Sequence, residues 1–287
     1  MRAIERFYLI VNVKKITENK NLLYVFMERG CKYMKSIVEV RNLKLGEGIP
    51  KICVPLVGKT NEEIISEAKN LKDIKLDLVE WRVDHYQDVE DLDKVKEILS
   101  MLREELGKLP ILFTFRSLKE GGEKEVSVEY YAQLNKEISK TGNVDLIDVE
   151  LFTGDEVVTD IVDFAHDNNV KVVMSNHDFF KTPAKEEIVN RLCKMQELNA
   201  DLPKIAVMPK TTTDVLTLLC ATDEMVTKHA KTPIITMSMA GLGVVSRIAG
   251  ETFGSALTFG AAKVASAPGQ VEVNELYKVL KLMHESK

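Results

Sequence analysis

The chain has 287 residues, is 45% hydrophobic and 29% charged, and carries a net charge of -5; this excludes a disordered chain and suits one barrel-sized domain or two smaller ones. With no long basic run, it offers no electrostatic footprint for nucleic acid or anionic lipid, so the expected partner is a small molecule. No apolar stretch reaches the length of a membrane span and the start lacks signal-peptide order, so a cytoplasmic protein is expected, with Cys31, Cys53, Cys193 and Cys220 as free thiols lacking metal or CxxC spacing.

Residues 1–33 fit the remainder poorly and are read as a leader from an upstream start or an added segment, with the folded domain over 34–287. A strand-like run over 36–41 (SIVEVR) leads into the repeating part. From Lys51 onward, Val- and Ile-rich runs alternate with amphipathic segments, as in parallel strands joined by crossover helices. Strands are predicted over 52–57, 76–82, 111–116, 145–151, 171–176, 204–208, 234–238 and 255–259. The Thr60-Asn61-Glu62-Glu63 run is a capping box, and Thr182-Pro183 reads as a cap and first-turn proline for a helix over 184–199. Further helices are expected over 213–229 and 273–285. Eight strand-helix units without an internal linker, and without a GxGxxG loop after the first strand, favour a single (β/α)8 TIM barrel over an open doubly wound sheet. The barrel takes up most of the length, which leaves no room for a second fused enzyme domain.

In such a barrel the site forms at the C-terminal ends of the strands, where alternation decides which side chains face inward. If Trp81 faces the helices, Glu80 and Arg82 face the interior; an exposed ion pair at a strand end is the competing reading. By the same parity Phe113 and Phe115 point outward, Thr114 and Arg116 inward, and the Gly121-Gly122 loop holds Glu120 over the site. Val173, Ser175 and His177 share a face, which makes His177 the one histidine of five placed inside at the catalytic end. Lys204 lies in the apolar run LPKIAVMP (202–209). It reads either as a strand-edge lysine with its head in water or as a buried amine with a lowered pKa, a nucleophile toward a carbonyl. Glycine-rich and Pro-Gly loops follow the last two strands, at 239–247 and 266–270, and suit anion capture and lid motion. Met237, Met239 and Phe259 read as apolar walls of the site or as barrel core.

The runs EWRVD (80–84), FTFRSLKEGGE (113–123), SNHDF (175–179), PKIAVMP (203–209), GVVSR (243–247) and SAPGQ (266–270) resemble those of type I 3-dehydroquinate dehydratases of the shikimate pathway, from about Met34 to the C-terminus. The resemblance implies that Lys204 condenses with the C3 ketone of 3-dehydroquinate. It implies that His177 removes the C2 proton and then protonates the departing C1 hydroxyl, with an imidazole titrating near neutrality and oriented by Glu120. Arg247 becomes the carboxylate clamp, Ser266 and Gln270 the closing loop, and Glu80, Arg82 and Arg116 the groups that bind ring hydroxyls. The cations are expected to crowd Lys204 and favour its free amine. No metal or organic cofactor is required, and a homodimer is implied. The alternatives are another Schiff-base barrel of the class I aldolase kind, and a barrel that only binds.

Overall fold

The computed structural model describes residues 37–262 and 266–287; the leader expected over 1–33 lies outside them. Its chain begins with a hairpin, Val38–Val40 (β1) and Leu43–Leu45 (β2), turned at Arg41 with φ 53°. The single strand expected over 36–41 is thus cut short at the turn. Val38, Val40 and Leu45 pack with Cys53, Leu78 and Leu146 and plug the barrel floor.

Eight parallel strands follow: Lys51–Leu56 (β3), Leu78–Arg82 (β4), Ile111–Thr114 (β5), Leu146–Glu150 (β6), Lys171–Asp178 (β7), Leu202–Val207 (β8), Ile235–Ser238 (β9) and Leu257–Ala261 (β10), with the short Val271–Glu272 (β11) added beside β10. Neighbours in sequence are neighbours in the sheet, and β10 returns to pair with β3. The β9–β10 seam closes through the Ile234–Ser255 bridge and the bond from Ala256 N to Ile234 O. The expected TIM barrel is therefore the fold observed.

Alternation sets the two layers. Trp81, Val83, Phe113 and Phe115 are fully buried against the helices, and Trp81 meets Phe113 edge-on at 5.6 Å between centroids. The intervening side chains, Glu80, Arg82 and Thr114, turn inward and are buried. Helix Asn61–Lys69 starts at the reciprocal Thr60–Glu63 capping box read from the sequence.

Four expected boundaries move. The strand at 111–116 ends at Thr114, because the Arg116 and Ser117 amides leave the ladder to donate to Asp84 and Glu150. β7 runs on to Asp178, pairing His177 with Ala206, so the histidine sits in the strand. Thr182 does not cap the next helix, which spans Lys185–Glu197 behind Ala184; its hydroxyl donates to Met208 O instead. The helix expected over 213–229 is a helix Thr212–Glu224 that widens into a π turn, Met225–His229.

Candidate active site

The register places Glu150, Ser175 and Lys204 side by side on β6, β7 and β8. Parallel partners point the same way, so all three enter the barrel. Lys204 is 3% exposed, which removes the reading of a head in water. Its Nζ lies 3.4 Å from Asp148 Oδ2, 3.8 Å from Glu80 Oε1 and 4.6 Å from the centre of the Phe259 ring. Its ion-pair partners are thus two carboxylates, and the Arg116 guanidinium shares Asp148 with it, Nη2 standing 2.8 Å from Oδ1.

His177 lines the same cavity as Lys204. Glu120 Oε2 stands 2.9 Å from Nδ1 and also accepts from the His177 backbone N–H at 2.9 Å, while Oε1 accepts from Asn176 Nδ2 at 3.0 Å. A carboxylate at Nδ1 fixes the tautomer that leaves Nε2 as the free base. Burial, reinforced by Arg116, Lys204 and Arg82, holds the imidazole well below its ordinary range. The near-neutral titration expected of the ring shifts to its partner, because burial raises the Glu120 carboxyl to about 7.

Arg82 is gripped by Asp84, with Nε 2.8 Å from Oδ1 and Nη2 2.8 Å from Oδ2. Burial opposes its charge, but Asp84 outweighs this and keeps the guanidinium above its usual pKa. Its Nη1 is left to reach the Ser266 carbonyl at 3.5 Å. Arg116 lines the cavity too; its Nη1 donates to Glu150 at 2.7 Å and to Ser175 at 3.0 Å, and its Nη2 forms an ion pair with Asp148 at 2.8 Å without making a hydrogen bond. It is the hub of the acidic cluster as much as a cavity wall. Glu80 accepts from Thr114 Oγ1 at 3.0 Å.

Arg247 differs from the other two arginines. It is 1% exposed, and among the described residues it forms no ion pair; its polar contacts are the Met237 sulfur at 3.7 Å and the Pro268 carbonyl at 3.1 Å. Desolvation lowers its pKa to about 10. A buried cation without an anion is costly, so the cavity it faces is built to receive one. Ser266 and Gln270 bond each other at 2.9 and 3.0 Å and form the cavity rim. Met237, Met239 and Phe259 belong both to the inner core and to the cavity wall, so their two readings hold together. Counted to its open mouth, the cavity holds about 470 Å³ of non-atom space, part of it open to solvent.

All nine residues singled out from the sequence, Glu80, Arg82, Arg116, Glu120, His177, Lys204, Arg247, Ser266 and Gln270, line this one cavity. Reading the sequence missed Asp84, Asp148 and Glu150, the carboxylates that hold Arg82, Lys204 and Arg116. The alternation of β6, with Leu146, Asp148 and Glu150 on one face, carried the signal for two of them.

Fold and site together define a TIM-barrel protein with a lysine amine, an imidazole and an unpaired guanidinium in one anion-receiving cavity. The family model for type I 3-dehydroquinase matches residues 52–287, and the chain belongs to that family. A 3-dehydroquinate dehydratase of Clostridium botulinum is 63% identical over 253 residues, which is 88% of this chain and 100% of that protein. Among solved structures, a type I 3-dehydroquinate dehydratase from Clostridium difficile, with covalent modified comenic acid, superposes with a TM-score of 0.87 at 62% identity, covering 88% of this chain and 100% of that one. The 3-dehydroquinate dehydratase of Enterococcus faecalis gives a TM-score of 0.81 at 47% identity over 85% of this chain and 98% of that one.

Proposed function

We propose that the chain is a 3-dehydroquinate dehydratase of the shikimate pathway, a hydro-lyase that converts 3-dehydroquinate to 3-dehydroshikimate through an imine on Lys204. The observation that carries this reading is the unpaired, buried Arg247 in the same cavity as the Lys204 amine; a ketone bearing a carboxylate satisfies both.

Removing a proton beside a neutral ketone is slow because the ketone is a poor electron sink, and an iminium is a far better one. Lys204 Nζ attacks the ketone carbon and water leaves, giving a protonated imine. His177 Nε2 takes the C2 proton, the electrons move into the iminium to give an enamine, and the same proton goes to the departing C1 hydroxyl. Glu120 holds the ring in place for both transfers. Arg247 clamps the carboxylate with two parallel donors; Glu80, Arg82 and Arg116 meet the ring hydroxyls, and Ser266 and Gln270 cover the mouth.

No helix among the described residues is long and apolar enough to cross a membrane. A cytoplasmic homodimer, with residues 1–33 as a leader outside the catalytic barrel, completes the reading; sedimentation of the full chain and of one starting at Met34 tests the assembly. Borohydride reduction in the presence of 3-dehydroquinate, read by peptide mass spectrometry, tests the chemistry. The expected result is a reduced adduct on Lys204, and an unmodified Lys204 overturns the imine.

A further inference from the structure

We propose that Asp148 is the counter-ion of the Lys204 nitrogen in the cationic states of the reaction, keeping the imine protonated once it forms. The inference rests on the reading that Lys204 forms an imine.

Asp148 is fully buried and does not line the substrate cavity, so it acts on the substrate through the groups it holds, the Lys204 nitrogen and Arg116. Its two oxygens divide the work. Oδ1 accepts from Ser175 Oγ at 2.6 Å and pairs with Arg116 Nη2 at 2.8 Å, and Oδ2 lies 3.4 Å from Lys204 Nζ. The first set of contacts anchors the carboxylate to the ends of β5 and β7, and the second aims it at the amine on β8. Glu80 is the other acid near Nζ, but it lies farther away and lines the cavity. The groups that set the field around the pair are Glu80 on β4, Arg116 beyond β5, Glu150 on β6, His177 on β7, Cys53 on β3 and Tyr131, whose hydroxyl donates to the Asp148 carbonyl at 3.3 Å. Burial favours a neutral Asp148, but Arg116 and Lys204 outweigh it and keep the carboxyl below its usual range.

The charge balance shows why such a partner is useful. An ammonium and a ketone give an iminium and water: two protons leave with the oxygen, while one proton and the positive charge stay on nitrogen. The ion pair with Asp148 is therefore the same before and after condensation; the charge leaves the nitrogen in the free amine that attacks, in the neutral carbinolamine and again in the enamine. After the C1 hydroxyl departs as water, the conjugated product imine is cationic again. A fixed carboxylate at 3.4 Å favours both cationic states over a neutral imine, which is a weak electron sink.

The test follows borohydride trapping of 3-dehydroquinate, the C=N infrared band of the imine and steady-state turnover at pH 8 in the wild type, Asp148→Asn and Ser175→Ala. Asp148→Asn should lose turnover about tenfold at pH 8, and the C=N infrared band of its imine should lose the D2O shift that marks a protonated nitrogen. Ser175→Ala, which removes an anchor but keeps the charge, should keep both the band shift and near wild-type turnover. A band shift and turnover unchanged in Asp148→Asn, or both lost equally in Ser175→Ala, overturn the counter-ion. Should Asp148→Asn fail to fold, the wild-type imine decides: its C=N infrared band should shift in D2O at pH 8, and a band that does not shift overturns the proposal. An absence of adduct in the wild type would instead sink the imine reading itself.

Discussion

Glu120 binds His177 twice through one oxygen, at the ring Nδ1 and at the backbone N–H, both at 2.9 Å. The pair is thus a rigid acid-base unit, and its protonation belongs to both residues. Burial has raised the carboxyl to about 7 and, helped by Arg116, Lys204 and Arg82, pushed the imidazole well below its usual range. Glu120 must be ionised to hold Nδ1–H and leave Nε2 as the base, so kcat/KM should fall below about pH 7, close to tenfold per unit. Glu120→Gln removes the group that titrates there and should move this acid limb downward, while kcat drops by about 10² or more. A pH profile whose acid limb stays in place in Glu120→Gln would contradict the assignment.

The raised carboxyl has a stability consequence of opposite sign. A folded-state pKa above the unfolded one means stability that is complete below the ordinary Glu range and lost as pH rises through about 7. Glu120→Gln should therefore be more stable than the wild type at pH 8 by roughly 1–3 kcal/mol, and near parity at pH 4.5. Urea unfolding at both pH values measures the difference, and an equal gain at each would detach it from titration.

Arg247 poses the same conflict between stability and function. Its guanidinium is buried without an ion-pair partner among the described residues. Arg247→Met should raise unfolding stability by about 1–3 kcal/mol through removal of an uncompensated buried charge. It should also raise KM by about two orders of magnitude, since a charge-assisted bidentate contact is lost. If KM held while stability rose, the clamp would have to be another residue.

Much of this was legible in the sequence because strand alternation is a local rule. Once Trp81 is assigned outward, Glu80 and Arg82 must point inward, and both do. The lysine's surroundings were not legible in that way, because Asp148 and Glu80 reach it from β6 and β4, and ion pairing across a barrel leaves no mark on neighbours in sequence. Thr182 failed as a cap for a related reason: its hydroxyl found the backbone carbonyl of Met208 just past β8, a tertiary contact that overrides a local signal.

The loop that carries Glu120 depends on Gly121, which has φ 83°, and a Cβ there would stand 2.3 Å from the Phe179 ring. That ring lies 6.5 Å from the His177 imidazole, nearly parallel to it. Gly121→Ala must strain the backbone and displace Phe179, at a cost of about 2–4 kcal/mol and with lower kcat. Gly142 has a comparable φ of 69° with nothing within 4 Å; Gly142→Ala should cost only about 1 kcal/mol and leave turnover intact. Equal destabilisation of the two would show that the Phe179 contact contributes nothing.

Asp84 is the most heavily used carboxylate at the mouth. Fully buried, it holds Arg82 through both oxygens and also accepts from the backbone N–H groups of Arg116 and Glu123, at 3.3 and 3.2 Å. It thereby ties the end of β4 to the loop that carries Glu120. Burial works against its charge, but Arg82 outweighs burial and holds the carboxyl below the usual Asp range. Its contribution is therefore full above the ordinary Asp range and lost as pH falls through the lower folded value. Asp84→Asn sets an amide N–H against one Arg82 donor and leaves a buried cation half-paired, which should cost about 3–5 kcal/mol at pH 7. The deficit should shrink in acid, where the wild type loses the same interaction. Because Arg82 would no longer be fixed, KM should rise with it, and unfolding curves at pH 7 and pH 3 alongside KM at pH 7 separate this account from simple misfolding: a deficit independent of pH, with KM unchanged, would rule it out.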